Sequence, residues 1–69
     1  MNLFEGSKIG KAKIKYLDGD YQVLSSGTYV ECAVTGKPIP LEELKYWSVL
    51  RQEPYIDAEA SFKRESEYR

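Results

Sequence analysis

At 69 residues and a formal net charge of −1, the chain makes one domain at most, and a domain of this size buries only about 60% of the surface that it exposes when unfolded. The near-neutral balance lacks the basic excess from which a non-specific nucleic-acid binder draws its affinity. One cysteine and no histidine exclude an intrachain disulfide and a self-contained structural zinc site, which takes four ligands drawn almost throughout from those two residue types.

Residues 1 to 10 mix polar residues with two glycines and show no strand or helix pattern, which predicts a flexible N-terminal arm apart from Leu3 and Phe4, which can tuck against the body. Residues 11 to 69 then form a single small domain. From Lys11 the pattern alternates strictly, with Ala12, Ile14 and Tyr16 on one face and Lys11, Lys13 and Lys15 on the other, as a half-buried strand requires. Asp18-Gly19 favours a two-residue type I′ hairpin turn, after which residues 21 to 24 resume the extended pattern. Ser25-Ser26-Gly27 turns the chain again, and Thr28 to Val34 alternates with Val30, Cys32 and Val34 on one side. These strands predict a three-stranded antiparallel meander.

Cys32-Ala33-Val34-Thr35-Gly36 has the spacing of half a zinc-ribbon knuckle in which Thr35 stands at the second cysteine position. A threonine hydroxyl is a poor zinc ligand but can bond to the sulfur or to nearby backbone and close the turn without metal. Cys32, Thr35 and Gly36 are therefore read as a degenerate, metal-free structural knuckle, with Cys32 a small buried apolar residue. Pro38 and Pro40 hold the next segment extended. Pro40 to Leu44 predicts one helical turn with Pro40 as its first residue and Glu42 and Glu43 at its positive end.

Residues 45 to 50 fit either a fourth strand or a continuing helix; their aromatic and β-branched content favours the strand. Beyond Pro54 the composition shifts to helix formers. Asp57 is the expected N-cap, Glu59 and Lys63 an expected i,i+4 pair, and Tyr55, Ala58 and Phe62 a weak apolar face. The fold expected is mainly β, a small α+β domain of three to four antiparallel strands with a C-terminal helix.

No catalytic apparatus is visible: there is no histidine base, no nucleophile elbow and no Gly-rich phosphate loop, so no enzyme activity, catalytic residue or cofactor is expected. A lone cysteine, the absence of an apolar run near 18 residues and the lack of an export signal point to the cytoplasm. Two surfaces suit recognition. Lys11, Lys13 and Lys15, reinforced by Lys8, form a row that meets phosphates or serves as a solvated edge-protecting face. Tyr46 and Trp47 with Arg51 and Gln52 have the composition of interface anchors or of core packing.

Tyr16-Leu17-Asp18-Gly19-Asp20-Tyr21, then Cys32-Ala33-Val34-Thr35-Gly36-Lys37-Pro38-Ile39-Pro40-Leu41, then Tyr46-Trp47-Ser48-Val49 and Gln52-Glu53 resemble the short alphaproteobacterial proteins of domain of unknown function 2093. The resemblance spans about residues 12 to 60 and implies no activity. The function expected is a bacterial non-enzymatic protein-interaction module, monomeric or weakly homodimeric. The alternative is a small nucleic-acid-binding β domain using the lysine row with aromatics such as Tyr21 or Tyr29.

Overall fold

A computed structural model describes residues 10–67. Along the chain run β1 (Lys13–Leu17), β2 (Asp20–Ser25), β3 (Tyr29–Glu31), β4 (Pro38–Pro40), a 3-10 turn (Leu41–Glu43), β5 (Tyr46–Ser48), β6 (Glu53–Tyr55) and α1 (Ala58–Glu67). The domain is mostly β with one C-terminal helix, the class expected. The continuous meander is not formed. The strands pair two by two, β1 with β2, β3 with β4 and β5 with β6, each pair antiparallel.

The reason lies at Gly27. A side chain there would stand 2.4 Å from the backbone nitrogen of Ala12 and 2.6 Å from the Gly10 carbonyl oxygen. The chain therefore crosses close over the start of β1 instead of turning back along β2. Thr28 N–H donates to Gly10 C=O (2.9 Å) and Ala12 N–H to Tyr29 C=O (2.8 Å), which sets β3 beside residues 10 to 12 in parallel. The segment from 1 to 9, including the predicted arm and Lys8, lies outside the described residues.

The Asp18-Gly19 turn closes the β1–β2 hairpin as expected, but only Gly19 takes a positive φ (73°), so the turn is not type I′. The alternation along β1 holds: Ala12 and Tyr16 are buried, Ile14 is half-buried, and Lys11, Lys13 and Lys15 are exposed. Leu24 has no cross-strand partner, because the register slips by one residue between Ile14 and Lys13 in a bulge.

Prolines enter β4 without breaking its ladder. Cys32 N–H donates to Lys37 C=O and Leu41 N–H to Thr28 C=O, which brackets the register Tyr29↔Pro40, Val30↔Ile39 and Glu31↔Pro38. Antiparallel pairs alternate between bonded and non-bonded. Pro38 and Pro40 thus occupy the positions that need no donor, while Ile39, 1% exposed, points into the core. Pro40 caps the following turn rather than opening it, with Leu41 as the first 3-10 residue.

The core joins Ala12, Tyr16, Val30, Cys32, Ile39, Leu44, Tyr55 and Ala60. Asp57 caps α1, its Oδ1 accepting from Ala60 N–H at 2.8 Å. The apolar face of α1 differs from the expected one. Ala60 is the buried position, Ala58 is exposed and Phe62 is 71% exposed. The inward row is Ala60 with half-buried Arg64, and Arg64 Nη2 reaches the Ala33 carbonyl at 2.8 Å. The helix ion pairs likewise run from Arg64 to Glu67 and Glu53, not from Glu59 to Lys63.

Candidate functional site

Three constellations carry the chemistry-bearing side chains. The first is the turn at Cys32. Gly36 N–H donates to Cys32 C=O (2.9 Å), Thr35 N–H points at Cys32 Sγ (3.4 Å), and Lys37 N–H donates to Thr35 Oγ1 (3.2 Å). Cys32 is 3% exposed. Burial pushes its thiol up, but hydrogen bonds from the Thr35 hydroxyl and amide and from the Ile56 and Val34 amides outweigh this and hold it below its ordinary value. The turn is anchored laterally, since Ala33 N–H donates to Pro54 C=O at 3.0 Å and so ties it to β6. Among the described residues no three Cys, His, Asp or Glu side chains converge as metal ligands do.

The second constellation is an ion-pair cluster between the β5–β6 loop and α1. Arg51 bonds Glu65 and the Tyr55 hydroxyl (3.2 Å) and pairs with Glu53 (3.6 Å), which in turn accepts from Tyr55 Oη (2.9 Å) and pairs with Arg64 (3.5 Å). The side chain of Arg51 is only 13% exposed, and its hydrogen bonds to Glu65 and Tyr55 raise its already high pKa. The Tyr55 hydroxyl is raised by burial, against the lowering pull of Arg51. Arg51, whose type suits an interface anchor or core packing, is here a clamp between loop and helix. Glu53 and Tyr55 are close to it in sequence, but the bond that makes it a clamp, to Glu65, spans 14 residues, so local spacing gives no sign of that role.

The third lies at the tip of the first hairpin. Gln52 sits in the left-handed region (φ 54°), and its amide pairs with the backbone of Tyr16: Oε1 accepts from Tyr16 N–H (3.0 Å) while Nε2 donates to Tyr16 C=O (2.8 Å). A second bond from Nε2 reaches Val49 C=O at 2.8 Å. The side chain thus imitates a neighbouring strand and closes the outer edge of β1. Trp47 Nε1 donates to Leu17 C=O (2.8 Å), and its ring meets Tyr16 at 6.0 Å and, edge-on, Tyr21 at 5.9 Å. Burial pushes the Tyr16 hydroxyl up to about 12.

Beside this cluster runs an open groove of about 390 Å³ whose lining includes Leu17, Tyr46, Trp47 and Val49 together with Asp18 and Lys45. Of the four predicted anchors, Trp47 and Tyr46 line this groove, Gln52 supports the hairpin behind it, and Arg51 belongs to the ion-pair cluster. Lys11, Lys13 and Lys15 are all exposed, and Lys11 also pairs with Glu31 at 3.4 Å. Cross-strand partners share a face, so Tyr16, Tyr21, Ile14 and Val23 lie on one side of the hairpin and Lys15 with Gln22 on the other.

The family model described as an uncharacterized protein conserved in bacteria (DUF2093) matches residues 23–64, from the middle of β2 through most of α1. The chain belongs to the DUF2093 family. No curated protein and no solved structure matches it. The DUF2093 match contains the Cys32 turn, Gln52 and the Arg51 clamp except for Glu65, but begins after the lysine row and the Asp18-Gly19 turn. No described helix is long and apolar enough to cross a membrane.

Proposed function

We propose that this DUF2093 protein is a cytoplasmic, non-enzymatic module that binds another protein through the groove beside the Asp18-Gly19 turn. One observation carries the reading: Leu17, Tyr46 and Val49 are 38%, 37% and 42% exposed around a tryptophan whose indole is fixed by the Leu17 carbonyl. Such a rigid aromatic floor ringed by apolar side chains suits an interface anchor, because little rotamer freedom is left to lose on binding. The Cys32 turn fits a structural role as the metal-free remnant of a zinc-ribbon knuckle, in which Thr35 supplies hydrogen bonds where a second thiolate would hold a metal. It underpins β6 and α1 and takes no part in chemistry.

Exposed Lys13 and Lys15 favour a second reading, a nucleic-acid-binding β domain. That reading needs stacking aromatics beside the cations, and Tyr21 faces away from the Lys15 side of the hairpin. A photo-reactive residue at Val49, and another at Lys13, tests the two in the native cell. Capture of one discrete protein from Val49 and none from Lys13 is the expected result. Capture of nucleic acid from Lys13, together with binding to single strands that weakens steeply with salt, would establish the second reading instead.

A further inference from the structure

The outer edge of β2 forms a surface distinct from the groove. Tyr16 spends its backbone N–H and C=O on Gln52, so they point away from β2, and the Tyr16–Tyr21 pair is a non-hydrogen-bonded one. Tyr21, and by the same alternation Val23 opposite Ile14, therefore direct their own N–H and C=O outward, away from β1. Among the described residues no strand lies on that side. The Tyr21 N–H is already taken by Asp20 Oδ1 at 2.7 Å. Val23 retains both groups, and Val23 and Leu24 are 48% and 61% exposed. From Tyr21 to Ser25 the strand has no charged residue and no proline, the two devices that most often keep an edge from pairing.

We infer that β2 pairs antiparallel with β2 of a second copy, about a two-fold axis at Val23, to make a four-stranded sheet. Symmetry restricts the register. A two-fold axis gives every pair and its mirror the same bonding type, so one residue must face itself. An axis at Tyr21, or at the inward-pointing Gln22 that would pair Tyr21 with Val23, calls on the occupied Tyr21 N–H, and an axis at Leu24 falls in the bulge, which leaves Val23. Val23 N–H of each copy then donates to Val23 C=O of the other, their side chains meet across the axis, and Gln22 faces Leu24 of the second copy. Charge favours a second copy over an unlike partner, since this stretch offers no charge for an unlike strand to read and none to repel itself. The two β1 lysine rows fall three strand spacings apart, about 14 Å, beyond the screening length of about 8 Å at physiological salt.

Sedimentation of the purified full chain tests this. Wild type is expected to pass from monomer to dimer as concentration rises. Val23→Lys, which opposes two like charges at the axis, is expected to raise the dissociation constant at least about tenfold while circular dichroism stays unchanged. Should that variant misfold, Val23→Cys serves in its place: bonded antiparallel partners stand about 5.5 Å apart at Cα, within the span that a disulfide bridges. Air oxidation is expected to link Val23→Cys into dimers much faster than Leu50→Cys, whose position is 90% exposed and off the edge. A wild type that stays monomeric at every concentration overturns the pairing. So does equal crosslinking of the two cysteine variants, or a dimer indifferent to Val23→Lys.

Discussion

Strands β2 and β6 show how little length says about anchoring. β2 has six residues paired to β1 on either side of a single bulge, yet only Tyr21 is even partly buried. β6 has three residues, with Pro54 and Tyr55 buried. The difference is in the neighbours. β2 has β1 and nothing beyond it among the described residues, whereas β6 is held by β5, by the Ala33 amide of the Cys32 turn and by the Arg51 and Arg64 ion pairs. The long strand is peripheral, and the short irregular pieces form the centre of the domain.

The comparison breaks most sharply under truncation. Tyr55→Ala removes a ring that is 1% exposed and is expected to cost about 3–5 kcal/mol, enough to unfold so small a domain at ambient temperature. Leu24→Ala in the hairpin is expected to change stability by less than about 0.5 kcal/mol. Urea melts of the two variants decide it, and comparable losses would show that the hairpin edge is as integral as the body.

Next in size is the joint between the two regions. Gly27→Ala sets a methyl within 2.6 Å of three backbone atoms, so residues 10 to 12 and 27 must separate at a cost of roughly 1–3 kcal/mol. Because the Thr28 and Ala12 amide bonds cross this joint, hydrogen exchange of those amides should rise well above that of Ile39. Uniform protection in the variant would show that the crossing relaxes without opening. Gln52→Glu acts one step lower. It keeps the acceptor for Tyr16 N–H but replaces the donor to the Tyr16 and Val49 carbonyls with a negative oxygen. A loss of about 1–2 kcal/mol is expected, with faster amide exchange in β1 and little change in β6.

The alternation of β1, the Asp18-Gly19 hairpin, the Asp57 cap and the strand at Tyr46 were all legible in the sequence because each depends on residues within a few positions of one another. What failed was long-range. Nothing near Gly27 announces that its missing side chain admits Ala12, so the chain reads as a meander when it crosses over instead. The residue types of Gln52 and Arg51 suit an interface or a core alike, and nothing local announces the bonds they make to Tyr16 and Glu65, 36 and 14 positions away. The apolar pattern of Ala58 and Phe62 is too weak to set the helix phase, which is fixed instead by Ala60 and by Arg64 reaching the Ala33 carbonyl.

The two regions also respond to pH with opposite sign. In the body, Cys32 is held below its ordinary thiol value despite burial, so between the lowered and the ordinary value the unfolded chain binds more protons and stability rises with pH. That contribution is complete above the ordinary value of about 8.5 and is lost as pH falls through the lowered one. In the hairpin, burial raises Tyr16 to about 12. Its contribution is present below the ordinary tyrosine value of about 10 and disappears as pH climbs through the raised one. The melting temperature of wild type should therefore gain on Cys32→Ala as pH rises from the lowered thiol value to the ordinary one, on top of a pH-independent offset from the lost packing. Above pH 10 wild type should fall more steeply than Tyr16→Phe. A constant gap between wild type and Cys32→Ala across that window would mean that the Thr35, Val34 and Ile56 donors do not favour the thiolate, and the turn would then be held by packing and by its backbone bonds alone.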